Sequence, residues 1–189
     1  MPLAFTKTLT AFAVLITLVG CEPQSATPTE QPQQTAAVIT APPVVGFEAK
    51  VIGVIDGDTV DVLLENKTTI RLRFNAIDAP ERGQPFGNNA KQFVSDQIFG
   101  KQIRIVDFGR DRYDRMIADL YRDGETISVN AALVHAGLAW HYTKYSSDET
   151  LTAAQREAES NQLGLWSDPR HVAPWDWRKL SKEERDKLR

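Results

Sequence analysis

Thr69-Ile70-Arg71-Leu72-Arg73-Phe74-Asn75 is the stretch that decides the fold. Ile70, Leu72 and Phe74 alternate with Arg71 and Arg73, so an extended chain sends the apolar side chains to one face and two guanidiniums to the other. Two similar runs precede it, Phe47 to Ile55 and Thr59 to Glu65, and the three together read as consecutive strands. Phe86 to Phe99 then carries Phe86, Ala90, Phe93, Val94 and Ile98 at helical spacing, with Gly100 placed as a C-terminal cap. Gln102 to Asp107 and Ile117 to Tyr121 supply two more strands, the second running into an Asp123-Gly124 turn of hairpin type.

Val129 to Leu138 reads as a short, almost wholly buried helix. Asp148 to Leu163 reads as an amphipathic helix introduced by a Ser146/Glu149 capping box and ended by Gly164. The order βββ-α-ββ-α-α predicts an α+β domain: a five-stranded OB-type barrel with about three packed helices, spanning residues 46–170. Trp140, Trp166, Trp175 and Trp177 are expected to cover the barrel and dock the C-terminal segment. Residues 171–189 are expected to be a charged tail, a frayed helix or disordered from Ser181 onward for want of an apolar stripe.

Before residue 46 the composition is different. Lys7 and the apolar run Leu9 to Val19 have the length of a secretory signal core, and Leu18-Val19-Gly20-Cys21 looks like a bacterial lipobox, with Cys21 the acylated first residue of the mature chain. Residues 1–20 are thus expected to be a signal peptide. Residues 21–45, rich in Pro, Gln, Thr and Ala, form a linker that cannot bury enough apolar area to order itself. At about 5–6 Å × √n such a linker spans on the order of 25–30 Å, enough to clear lipid headgroups. The expected location is the bacterial cell envelope, held by a lipid anchor, and the outer membrane in a Gram-negative host because Glu22 follows the cysteine.

Composition excludes some chemistry. The 189 residues carry a net charge of −3, which disfavours indiscriminate coating of nucleic acid. Between Ile70 and Arg115, however, nine basic residues face six acidic ones. A lone cysteine excludes an intrachain disulfide and a multi-cysteine zinc site. His135, His141 and His171 are scattered through different elements, which disfavours a zinc or iron centre.

The densest group of candidate functional residues is Ile55-Asp56-Gly57-Asp58-Thr59, followed by Arg73 and by Asp78-Ala79-Pro80-Glu81. Carboxylates at turns and strand ends can converge on a hard dication such as Ca²⁺, which takes oxygen ligands and water in a flexible arrangement. Alone, Asp-Gly-Asp would read as a turn.

Several separated motifs in order go further. Ile-Asp-Gly-Asp-Thr-Val at 55–60, Arg-Phe-Asn-Ala-Ile-Asp-Ala-Pro-Glu at 73–81, Asp-Arg-Tyr-Asp-Arg at 111–115 and Gly-Leu-Trp-Ser at 164–167 resemble the staphylococcal nuclease family over roughly residues 48–166. The resemblance implies a Ca²⁺-dependent endonuclease, a monomer, cutting DNA and RNA with little sequence preference to leave 3′-phosphate ends. By the same resemblance Asp58, Asp78 and the main-chain carbonyl of Ala79 would ligate calcium. Arg73 and Arg115 would grip the scissile phosphate, Glu81 would act on the attacking water, and Asp56 would stand behind the ligands. Arg112 and Tyr113 are candidates for contacts to a neighbouring phosphate and nucleotide, and Tyr145 for stacking on a base. Asp114 stands where the family commonly has Gly, a place suited to left-handed backbone that Asp tolerates. The alternative reading is a catalytically inactive OB-fold lipoprotein that binds nucleic acid or protein.

Overall fold

The computed structural model describes residues 46–189. The expected signal peptide, the lipobox at Cys21 and the linker lie outside the described residues.

The alternation read at residues 69–75 is realised in β3 (Thr69–Phe74), which pairs antiparallel with β2 (Thr59–Leu63), itself antiparallel to β1 (Phe47–Val54). β5 (Gln102–Arg110) pairs antiparallel with β1 and with β6 (Met116–Tyr121), and β6 closes onto β3 in parallel. The result is a closed barrel in the order β1-β2-β3-β6-β5, the five-stranded OB architecture expected. Val51, Val60, Val62, Leu72, Phe74, Ile103, Ile105, Ala118 and Leu120 fill its interior. Truncating such a side chain, Leu72→Ala for example, costs about 2–5 kcal/mol because the hole does not fully collapse. α1 (Gly87–Ile98) buries Ala90, Val94 and Ile98 in the same core, and Gly100 follows it in a left-handed conformation at φ 75°.

A second, two-stranded sheet pairs β4 (Ile77–Asp78) with β7 (Trp140–His141). Neither strand is evident from residue pattern, being two residues long. α2 (Val129–His135) is shorter than expected, and it buries Val129, Asn130, Leu133 and Val134 rather than its whole surface. The Asp123-Gly124 turn closes with Glu125 N–H donating to the Arg122 carbonyl, but α2 follows it, so it is not a hairpin.

α3 (Glu149–Ser160) is capped by Asp148, whose carboxylate accepts from the amides of Thr150 and Leu151. The expected Ser146 cap is corrected: its hydroxyl accepts from Asp148 N–H and bonds His141 Nε2 instead. Asp wins because its carboxylate sits two residues nearer the helix and takes two orphan amides at once. The helix ends before Gly164, which opens a 3-10 turn (Gly164–Ser167).

Two short helices add to the three expected, and the tail from Ser181 takes the helical alternative. The chain continues into α4 (Pro174–Trp177) and α5 (Lys182–Leu188), making five α-helices among the described residues. α5 is opened by a capping box between Ser181 and Glu184. Trp140, Trp166, Trp175 and Phe86 form the aromatic cluster on which this segment docks, and Trp177 is buried. Arg189 Nε donates to the Gly83 carbonyl at 2.9 Å. The segment is therefore packed on the domain, its few apolar side chains being anchors instead of a stripe. Among the described residues no helix is long and apolar enough to cross a membrane.

Candidate active site

Barrel register brings the first group together. Thr59 lies opposite Arg73 in the β2–β3 ladder, and the Phe74 amide donates to the Asp58 carbonyl at 2.8 Å, so Asp58 and Arg73 meet at the mouth of the barrel. The Asp56-Gly57-Asp58 turn is folded on itself, with the Asp58 amide donating to Asp56 Oδ1 at 3.0 Å. Gly57 is required there by close approach. A Cβ at this position would stand 2.7 Å from the methyl groups of both Ala79 and Ala90, nearer than packed carbons tolerate. The turn is thereby pressed between α1 and the Asp78–Glu81 segment.

Ala76 adopts φ 63°, turning the chain from β3 into β4, and Asp78 enters the site from the other side. The Ala79 amide donates to Asp58 Oδ2 at 2.6 Å. Arg73 lies between the two carboxylates: Nη2 donates to Asp78 Oδ1 at 2.8 Å, and Nη1 is 2.6 Å from Asp58 Oδ2 as an ion pair without hydrogen-bond alignment. Burial opposes the Arg73 charge, but Asp58 and Asp78 outweigh it and hold the guanidinium's pKa above its ordinary value. Burial raises the Asp78 carboxyl in spite of Arg178 and Arg73. Asp56 is pushed up to about 6, by burial first and then by the Asp58 charge.

Glu81 closes the group. Its amide donates to Gln84 Oε1 at 2.9 Å, the Gln84 amide donates back to the Glu81 carbonyl, and Gln84 Nε2 reaches the Val172 carbonyl at 2.6 Å. Gly87 sits so near that a Cβ would meet the Glu81 carbonyl oxygen at 2.3 Å. Arg178, a residue that no sequence motif singled out, donates to Glu81 Oε1 at 2.5 Å and to Asp78 Oδ2 at 2.7 Å. Both carboxylates raise the pKa of its guanidinium over the opposing effect of burial.

Arg115 belongs to a neighbouring loop. A bulge between Asp107 and Arg110 bends β5 into the 111–115 turn. There Asp111 Oδ1 accepts from the amides of Tyr113 and Arg115, and Asp111 Oδ2 accepts from Arg115 Nε at 2.7 Å. Burial works against the Asp111 charge, but the bonds from Arg115 and Tyr113 prevail and hold its carboxyl below the usual range. Asp114 takes φ 62°, the left-handed geometry expected of this position. Arg115 and Arg112 both lie over the Tyr113 ring, at 5.6 and 4.8 Å. With Asp61, Thr69, Arg71 and Asp114, Arg115 and Tyr113 line an open groove of about 490 Å³. Tyr145 is in neither group: its exposed ring meets Tyr142 edge-on, and Tyr142 stacks on Trp175.

The donor set around Asp58, Asp78 and Ala79 is oxygen throughout, the kind a hard dication takes, with water completing the shell. Among the described residues no three His, Cys, Asp or Glu side chains are gathered as a preformed cage. The reason is visible in the bonding, since arginines hold the carboxylate oxygens. The residues therefore fit calcium in kind, at the expense of a guanidinium contact.

The family model described as staphylococcal nuclease homologue matches residues 71–168, which leaves Asp58 and Arg178 outside the matched span. A micrococcal nuclease of Shigella flexneri is 38% identical over 154 residues, covering 77% of this chain and 88% of the relative. A protein of Escherichia coli O157:H7 described as an uncharacterized endonuclease is 40% identical over 133 residues, covering 70% of this chain and 85% of its own. A probable staphylococcal-like nuclease of rice, Oryza sativa subsp. japonica, is 37% identical over 109 residues, 58% of this chain and 32% of the relative. With the closed five-stranded barrel and this convergence of carboxylates and arginines, the matches establish that the chain belongs to the staphylococcal nuclease homologue family and is an enzyme of the nuclease class.

Proposed function

We propose that the protein is a Ca²⁺-dependent endonuclease that hydrolyses DNA and RNA with little sequence preference, leaves 3′-phosphate ends, and works as a monomer from a lipid anchor at Cys21 in the bacterial envelope. The observation that carries the catalytic part is the position of Arg73 between Asp58 and Asp78, with Glu81 tied to the same cluster through Arg178.

A phosphodiester is an anion, so its hydrolysis requires positive charge at the phosphate and a held water. Asp58, Asp78 and the Ala79 carbonyl would hold Ca²⁺, which when bound supplies charge neutralisation at the phosphoryl oxygens. Arg73 and Arg115 present planar forks to those oxygens, a geometry that a lysine cannot copy. Glu81 holds the attacking water in line and draws its proton as oxygen adds to phosphorus. The P–O5′ bond breaks, the 5′-oxygen takes a proton from solvent water and leaves as a hydroxyl, and the phosphate stays on the 3′ side. Arg112 and Tyr113 beside the groove would steady the next nucleotide, and the exposed Tyr145 ring would stack on a base.

The anchor is supported by Leu18-Val19-Gly20-Cys21 and by a following linker long enough to lift the domain off the headgroups. The catalytic reading is tested by incubating supercoiled plasmid and single-stranded RNA with the purified protein, in calcium and in EGTA, and analysing the cut ends. Calcium-dependent cleavage leaving 3′-phosphate is expected. Cleavage indifferent to EGTA, or none, would refute it.

A further inference from the structure

Both oxygens of Asp78 are engaged by arginine. Oδ1 accepts from Arg73 Nη2 at 2.8 Å and from Arg178 Nη1 at 3.3 Å, and Oδ2 accepts from Arg178 Nη2 at 2.7 Å. A divalent cation ligated by Asp78 would lie against a guanidinium on either oxygen, and like charges that close repel one another, so one of the two arginines gives way. Arg73 is the stronger holder. Its side chain is only 15% exposed, its strand is paired on both sides, and it is tied to Asp58 as well. Arg178 is 43% exposed and follows a helix of four residues. Exposed pairs are screened by water and weaker than enclosed ones, so Arg178 is the one to yield.

We infer that Arg178 is a displaceable latch: it closes Asp78 and Glu81 in the cation-free protein, and a divalent cation arriving at Asp78 drives it off. The inference rests on the calcium reading above and deepens it. Displacing Arg178 also releases Glu81 Oε1, which Arg178 Nη1 holds at 2.5 Å. Glu81 regains Oε1 for a water when the cation is in place, so the latch couples metal binding to readiness for hydrolysis. The arriving dication and the guanidinium also repel one another, which favours the exchange.

The movement required is local. Buried Trp177, the Gln84–Val172 bond and the Arg189–Gly83 bond secure the C-terminal segment independently of Arg178. Release should loosen the backbone next to Arg178 and leave the segment docked.

Calorimetric titration of calcium into the full chain, without substrate, tests this on wild type, Arg178→Gln and Lys179→Gln. Lys179 pairs only with the exposed Asp176 among the described residues, so its variant removes the same charge without touching the carboxylate pair. Arg178→Gln should bind calcium roughly tenfold more tightly, the scale of one partly screened charged contact removed from competition, and Lys179→Gln should match wild type. Equal or weaker binding by Arg178→Gln overturns the latch while leaving the calcium reading intact. A wild type that binds no calcium overturns both. Should Arg178→Gln fail to fold, hydrogen exchange on wild type decides: amides at 178–180 should exchange faster with calcium, and unchanged or slower exchange overturns the latch.

Discussion

Arg73 lies directly across the β2–β3 ladder from Thr59, and that register puts its guanidinium within 2.6 Å of the Asp58 carboxylate one residue earlier. A slip of one residue would turn Arg73 into the barrel and Leu72 out of it. The site thus inherits its geometry from the same alternation that builds the core.

Because one planar fork reaches both Asp58 and Asp78, Arg73→Lys should keep the charge and lose the geometry. Initial rates on single-stranded DNA should show kcat/KM reduced by about 10²–10³-fold, the scale of removing one aligned donor from a transition-state oxygen. Circular dichroism should show the fold retained.

Gly57 packs against Ala79 and Ala90 with room for hydrogen only. Gly57→Ala should cost about 1–3 kcal/mol of stability, read from urea unfolding, since overpacking forces the two neighbours apart. Adding Ala90→Gly should recover part of the loss, less the helix penalty of glycine.

Asp119 accepts from Asn130 Nδ2 at 3.0 Å, and burial is the first cause that pushes its carboxyl up to about 6, ahead of an opposing bond from Asn75 and the repulsive charge of Asp148. A carboxyl raised in the folded state binds its proton more tightly there than in the unfolded chain. Its contribution to stability is present at low pH and is lost as pH rises from about 4 through about 6. Asp119→Asn should remove that fall. The stability difference, variant minus wild type, should grow by about 2–3 kcal/mol across the window and stay flat above pH 7.

If Cys21 carries the lipid, Cys21→Ser expressed in a bacterial host should shift the protein from the detergent-rich to the aqueous phase on detergent partition and should abolish incorporation of labelled palmitate. Nuclease activity per molecule should be unchanged, because the residue precedes the barrel by a linker.

The barrel was legible because alternation in segments such as Ile70 to Phe74 reports directly on which face is buried. Asp58, Arg73, Asp78 and Glu81 were singled out by their likeness to the family's motifs, and the β2–β3 pairing with the turn after β3 is what brings them together. Arg178 was not singled out. Its partner Asp78 is 100 residues away, and no local pattern encodes a contact at that separation. Trp175 and Trp177 beside it pointed to a docked segment, and the signal left unused was Ser181 with Glu184, a capping box that marks an ordered helix start. The Ser146/Glu149 pattern misled because the helix starts two residues later than that box requires, where Asp148 takes the amides of Thr150 and Leu151.

The most direct measurement is the cleavage rate of Glu81→Gln in saturating calcium, alongside the affinity of the same variant for a DNA strand that resists hydrolysis. Glutamine keeps the shape of Glu81 and removes its ability to take a proton, so kcat should fall about 10²–10⁴-fold with DNA affinity within a few-fold of wild type. A variant that cuts DNA at the wild-type rate would contradict the assignment of hydrolysis to this cluster.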